Sequence, residues 1–130
     1  MITEHALLPV IAGMEGEFMA AFERARPLIS AIDGYLGQQL SRSIETPNHF
    51  LLLVSWESVE AHTIGFRGSE NFLEWKHLLH RFYEPFPVVE HFETIAPIVT
   101  ATTVGSRVLS ESRPNTKSSR AHMLAKPPRL

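Results

Sequence analysis

The chain has 130 residues, 44 % apolar and 20 % charged, the profile of one soluble domain. It contains no Cys, which excludes a disulfide framework, a thiolate metal site and a cysteine nucleophile, and is compatible with a cytoplasmic location. The net charge of −2 conceals an acidic body, residues 1–96, with 6 basic residues against 13 acidic ones, and a basic tail, residues 97–130, with 6 against one.

The N-terminal stretch "MITEHALLPVIAG" has no basic segment and carries Glu4, so it makes a poor signal peptide. No apolar run approaches the ~20 residues that cross a bilayer. Residues 2–10 alternate as a strand does, with Ile2, Glu4, Ala6, Leu8 and Val10 on one face. From 14 to 32 the period changes. Met14, Phe18, Ala21, Phe22, Ala25, Ile29 and Ile32 recur at three and four, the stripe of an amphipathic helix. Glu15 and Glu17 suit its first turn, Pro27 is expected to kink or shorten its end, and Gly34 suits a left-handed cap.

Residues 35–44 form a second, half-polar strand expected near an edge, and "ETPNHF" turns the chain. Residues 50–56, "FLLLVSW", are nearly continuous apolar, as in a strand covered on both faces. Ser58 and Ser69 suit the N-caps of two helices, about 59–65 and 70–83. Phe72, Trp75, Leu79 and Phe82 share a face of the second. "EPFP" stops it, and residues 88–95 supply a last strand.

The order β-α-β-β-α-β predicts a ferredoxin-like α+β fold, an antiparallel sheet with helices on one face. Leu51 and Leu53 point away from those helices and would leave an apolar patch, which a second subunit packed sheet against sheet would cover. A homodimer is therefore expected. "PIVTATTV", residues 97–104, would extend the last strand or add a short one. From Gly105 the composition reads as disorder, a basic tail that either touches nucleic acid or anionic lipid or is a solvated appendix with no partner; the folded domain is expected to bind neither nucleic acid nor membrane.

The stretch "WESVEAHTIGFRGSENFLEW" resembles the antibiotic biosynthesis monooxygenase (ABM) family of dimeric α+β barrels, whose third strand ends in W-E-S and is followed by F-R-x-S and a helix with Phe in its first turn. "IAGMEGEFMAAF" and "AIDGYLGQQL" resemble the family's strand–helix and helix–strand junctions. The resemblance covers about residues 2–95. It implies a cofactor-independent monooxygenase of a phenolic or quinol-like substrate, with no cofactor. A non-catalytic dimeric binding or stress-associated module of the same fold is the alternative. The family's haem-degrading branch uses an Asn on the first strand with Trp and His from later helices. Asn48, Asn71 and Asn115 all lie elsewhere, so haem breakdown is disfavoured.

Chemistry centres on few residues. His62 and Phe66, four apart, share a helix face. His62 is either a base or donor to a phenolic substrate or a half-buried His bonding a neighbour. Trp56, Phe66, Phe72 and Trp75 either stack on a flat aromatic ligand or form plain core. Arg67 either holds an oxyanion or pairs with Glu57, Glu60 or Glu70. His91 faces the cavity or the dimer seam. Glu4, if inward, needs a His or Arg partner. Glu74, His77 and His80 are spaced by three but oppose the Phe72/Trp75/Leu79 stripe and are expected to face solvent, so no metal is expected. Nucleotide, flavin and serine-hydrolase motifs are absent from the sequence.

Overall fold

A computed structural model describes residues 1–101. Strand β1 (Ile2–Pro9) leads to helix α1 (Glu15–Ser30), then to strands β2 (Tyr35–Arg42) and β3 (His49–Trp56). A one-turn π-helix (Ala61–Phe66), helix α2 (Glu70–Leu79), a 3-10 turn (His80–Phe82) and strand β4 (Val89–Glu93) complete it. The sheet is antiparallel in the order β2-β3-β1-β4, the ferredoxin-like α+β arrangement, with β2 at an edge as its half-polar sequence predicts. The expected disorder beyond Gly105 lies outside the described residues. Of "PIVTATTV", residues 97–101 carry no strand and the rest falls outside that range. Among the described residues, no helix is long and apolar enough to cross a membrane.

Strand alternation places one set of side chains under the helices. Glu4, Ala6 and Leu8 of β1 and Phe50, Leu52, Val54 and Trp56 of β3 are buried there. They meet the α1 stripe of Phe18, Ala21, Phe22, Ala25 and Ile29, and Trp75, Leu79 and Phe82 from the later segment. The opposite face is open, with Leu7 48 % exposed and Leu51 and Leu53 half-buried. The expectation that β3 is covered on both faces thus fails within one chain, because both helices occupy the same side.

Local details differ from the sequence reading in three places. Pro27 does not end α1, which runs on to Ser30 and closes at Ala31 in right-handed geometry. Gly34 is left-handed (φ +90°), but it turns the chain into β2 rather than capping the helix. A Cβ there would also stand 2.7 Å from Ala61 Cβ, so both backbone and space require glycine. Ser58 does accept the Ala61 N–H (3.1 Å), and Ser69 the Phe72 N–H (3.2 Å). Between them the helix widens, Arg67 N–H donating to His62 C=O five residues back.

Candidate active site

The wide turn brings His62 and Phe66 inward together, their rings 6.3 Å apart and nearly parallel. Trp56, at the end of β3, stacks on His62 at 5.4 Å and donates its indole N–H to Glu4 Oε1 (3.0 Å). Glu4 Oε1 also lies 3.4 Å from His62 Nε2. On the other side of the ring, His62 Nδ1 and His91 Nε2 are 2.8 Å apart. His91 reaches this position because β4 pairs with β1 in the register Glu4↔His91, which turns both side chains to the helix-covered face. The inward Glu4 therefore has its His partner, and a Trp as well. Glu4 and His62 are 5 % and 3 % exposed, a polar pair enclosed by apolar packing.

Between sheet and helices lies a cavity of about 580 Å³, the size of a small-molecule site. Ala6, Leu8 and Leu52 make an apolar floor, and Glu4 and His62 make a polar corner. Phe66, Phe72 and Trp75 form an aromatic wall, with Phe66 edge-on to Trp75 at 5.4 Å and to Phe72 at 5.2 Å. Arg67 and Lys76 bring two cations to the lining. Arg67 makes no ion pair among the described residues, so Glu57, Glu60 and Glu70 do not hold it. Trp56 is fully buried and does not line the cavity; it stands behind Glu4.

The expectation that His80 faces solvent is corrected. Glu74 and His77 are exposed, but His80 is half-buried and lines the cavity, packed edge-on against Phe86 at 4.9 Å. Tyr83 lines it too. The missed signal was a second stripe, Phe72, Lys76, His80 and Tyr83 at intervals of four, four and three, running beside the core stripe. Among the described residues no cluster of three His, Asp or Glu could hold a metal ion.

Electrostatics follow from burial. Desolvation raises the Glu4 carboxyl above its usual range, partly offset by the Trp56 N–H and the Arg67 guanidinium. Burial, with Arg67 and His91 adding to it, lowers His62 to about 3. His91 is lowered by burial and then Arg67, His80 by burial and then Lys76, and burial raises the Tyr83 phenol. At pH 7 His62 is thus uncharged, and its contact with Glu4 is no two-charge ion pair.

His62 binds its proton near 6.5 when unfolded and near 3 when folded, so its contribution is fully present above about 6.5 and is lost as pH falls toward 3. Glu4 acts oppositely, its raised carboxyl removing stability as pH rises above its ordinary 4.5. Replacing His62 with Phe, which keeps a ring but cannot titrate, is expected to flatten the fall of Tm between pH 6.5 and 4. Parallel Tm-against-pH curves for the two proteins would show that His62 is not the buried neutral group.

The sequence matches the antibiotic biosynthesis monooxygenase family over residues 1–78. It is 52 % identical over 95 residues to the Bacillus subtilis protein YczJ, itself uncharacterised, covering 73 % of this chain and all of that one. The chain belongs to the antibiotic biosynthesis monooxygenase family. A solved family structure from Bordetella bronchiseptica is 38 % identical and superposes with a TM-score of 0.70, covering 73 % of this chain and 97 % of that one. The fold is also that of SnoaB, a cofactor-independent oxygenase from Streptomyces nogalater, at 18 % identity and a TM-score of 0.66, covering 75 % and 95 %. The ABM match stops at residue 78, short of His80, Tyr83 and His91. Part of this ABM protein's cavity and one end of its histidine pair therefore come from residues beyond the matched segment.

Proposed function

We propose that this ABM protein is a homodimeric, cofactor-independent monooxygenase of a small phenolic or quinol-like aromatic. The observation that carries the reading is the Glu4–His62–His91 cluster at the edge of an aromatic-walled cavity of about 580 Å³. Removing a phenol's proton yields an anion rich enough in electrons to reduce O₂ directly. The substrate supplies all four electrons that O₂ takes up; one oxygen atom stays on the substrate and the other leaves as water. The chain's own residues perform three tasks. The cluster takes the proton, Arg67 stabilises the oxyanion, and Phe66, Phe72 and Trp75 hold the ring over the apolar floor. The description of SnoaB as a cofactor-independent oxygenase supports the same chemistry on the same fold.

The test is oxygen uptake by the purified, metal-stripped protein with anthrones and hydroquinones, corrected for autoxidation. Saturable uptake is expected. Trp75→Ala removes one aromatic contact worth about 0.5–1.5 kcal/mol, so KM should rise roughly 2- to 12-fold. No uptake above background across the panel would leave a binding module that uses this cavity without chemistry.

A further inference from the structure

Phenol oxidation needs one atom that takes the substrate's proton, and the geometry singles it out. His62 has two ring nitrogens, and both face protein groups: Nδ1 is 2.8 Å from His91 Nε2, and Nε2 is 3.4 Å from Glu4 Oε1. A cavity ligand reaching for either nitrogen would compete with these contacts. Glu4 differs. Its Oε1 accepts the Trp56 N–H and faces His62, whereas Oε2 has no hydrogen-bond partner among the described residues. Nor is Oε2 sealed in protein, since among the described residues the one buried, unpartnered side-chain atom is Gln38 Oε1. Glu4 lines the cavity, and Oε2 is the oxygen of its carboxyl that no donor holds among the described residues. At the far end, His91 is only partly covered and does not line the cavity. Its Nδ1 likewise has no partner among the described residues and is not sealed.

We propose that Glu4 is the general base of this site and that His62 and His91 carry its proton between the cavity and solvent. The inference rests on the phenol-oxidising reading above. The substrate's O–H proton passes to Glu4 Oε2, and its electron pair stays on the phenolate oxygen. The carboxyl turns and offers the proton to His62 Nε2, closing the 3.4 Å gap. His62 releases its Nδ1 proton to His91 Nε2, and His91 loses its own Nδ1 proton to water. Glu4 is a carboxylate again, and both rings are left in the opposite tautomer. The proton needed when oxygen leaves as water returns along the same line and resets them. Arg67 is the charged group beside all three residues, and it favours the carboxylate and the neutral rings between which the proton moves. His62 and His91 act through Glu4 and are positioning residues; of the three, Glu4 alone touches substrate.

The first step can be read without turnover using 4-nitrophenol, whose phenolate is yellow. Bound to the wild-type protein at a pH where the free probe is mostly protonated, it is expected to gain phenolate absorbance. Glu4→Gln keeps the volume and an acceptor for Trp56, and should abolish that gain; Glu4→Asp should restore part of it. Circular dichroism confirms that each variant folds. His91→Gln should keep the phenolate signal, slow oxygen uptake about tenfold, enlarge the solvent isotope effect and recover with added imidazole. A phenolate signal that persists in Glu4→Gln overturns the assignment of the base while leaving phenol oxidation standing. Glu4-dependent phenolate with no oxygen uptake by the wild type supports the base and sinks the oxygenase reading instead. A wild-type protein that binds no nitrophenol sinks both, and unchanged kinetics in His91→Gln removes His91 from the line.

Discussion

His62→Ala is expected to lower the turnover number for oxygen uptake by about 100- to 1,000-fold while leaving KM within about threefold, since loss of a positioned acid–base group costs that order in rate. The physical reason is position. His62 touches both Glu4 and His91, and its removal breaks the line in the middle. Trp56 loses its stacking partner as well. The fold should still form, because the core around Phe18, Phe50 and Leu79 is untouched. The lost His91 contact and the space left behind should cost about 1–3 kcal/mol of stability in urea unfolding. The aromatic wall of Phe66, Phe72 and Trp75 remains, so binding is largely kept. Turnover equal to the wild type in a folded His62→Ala protein would remove His62 from the chemistry and return it to a packing role.

Leu53→Asp is expected to turn the proposed homodimer into a monomer. The face of the sheet opposite the helices carries Leu7, Leu51, Leu53 and Phe92, with Leu7 paired to Leu51 and His5 to Leu53 across β1 and β3. Leu53 is half-buried in the single chain, so an aspartate is tolerated there when water can reach it. Between two packed sheets the same carboxylate would be buried without a partner, and about 3–5 kcal/mol of lost association weakens the dimer at least 100-fold. Light scattering should find the wild type at about twice the 14.7 kDa chain mass and the variant at that mass. A wild-type monomer, or a variant that stays dimeric, would place the interface elsewhere or abolish it.

Much of the fold was legible in order along the chain. The switch from period two in β1 to period three-and-four in α1 and back is a local property of polar and apolar spacing, and the structure follows it nearly residue by residue. Ser58 and Ser69 were readable as caps because capping depends on the residue and its near neighbours. Pro27 misled because packing of Phe22, Ala25 and Ile29 against the sheet holds α1 through a proline that an isolated helix would not tolerate. His80 misled for a related reason: the α2 wheel carries two adjacent stripes, and only the larger was read as inward. The second becomes a cavity wall because the sheet opposite it carries Ala6, whose small side chain leaves space unfilled.

The sequence by itself determined the β-α-β-β-α-β order, the inward stripe of α1 and the need for a partner to Glu4 should that residue face inward. Those follow from local periodicity and from the cost of an unpaired buried carboxylate. Only the tertiary structure decided which partner that is. Glu4 and Trp56 lie 52 positions apart, and His62 and His91 lie 29 apart, so no spacing along the chain relates them. They meet because β1 sits between β3 and β4 in the sheet, a register fixed by which strands pair and not by anything within a single strand.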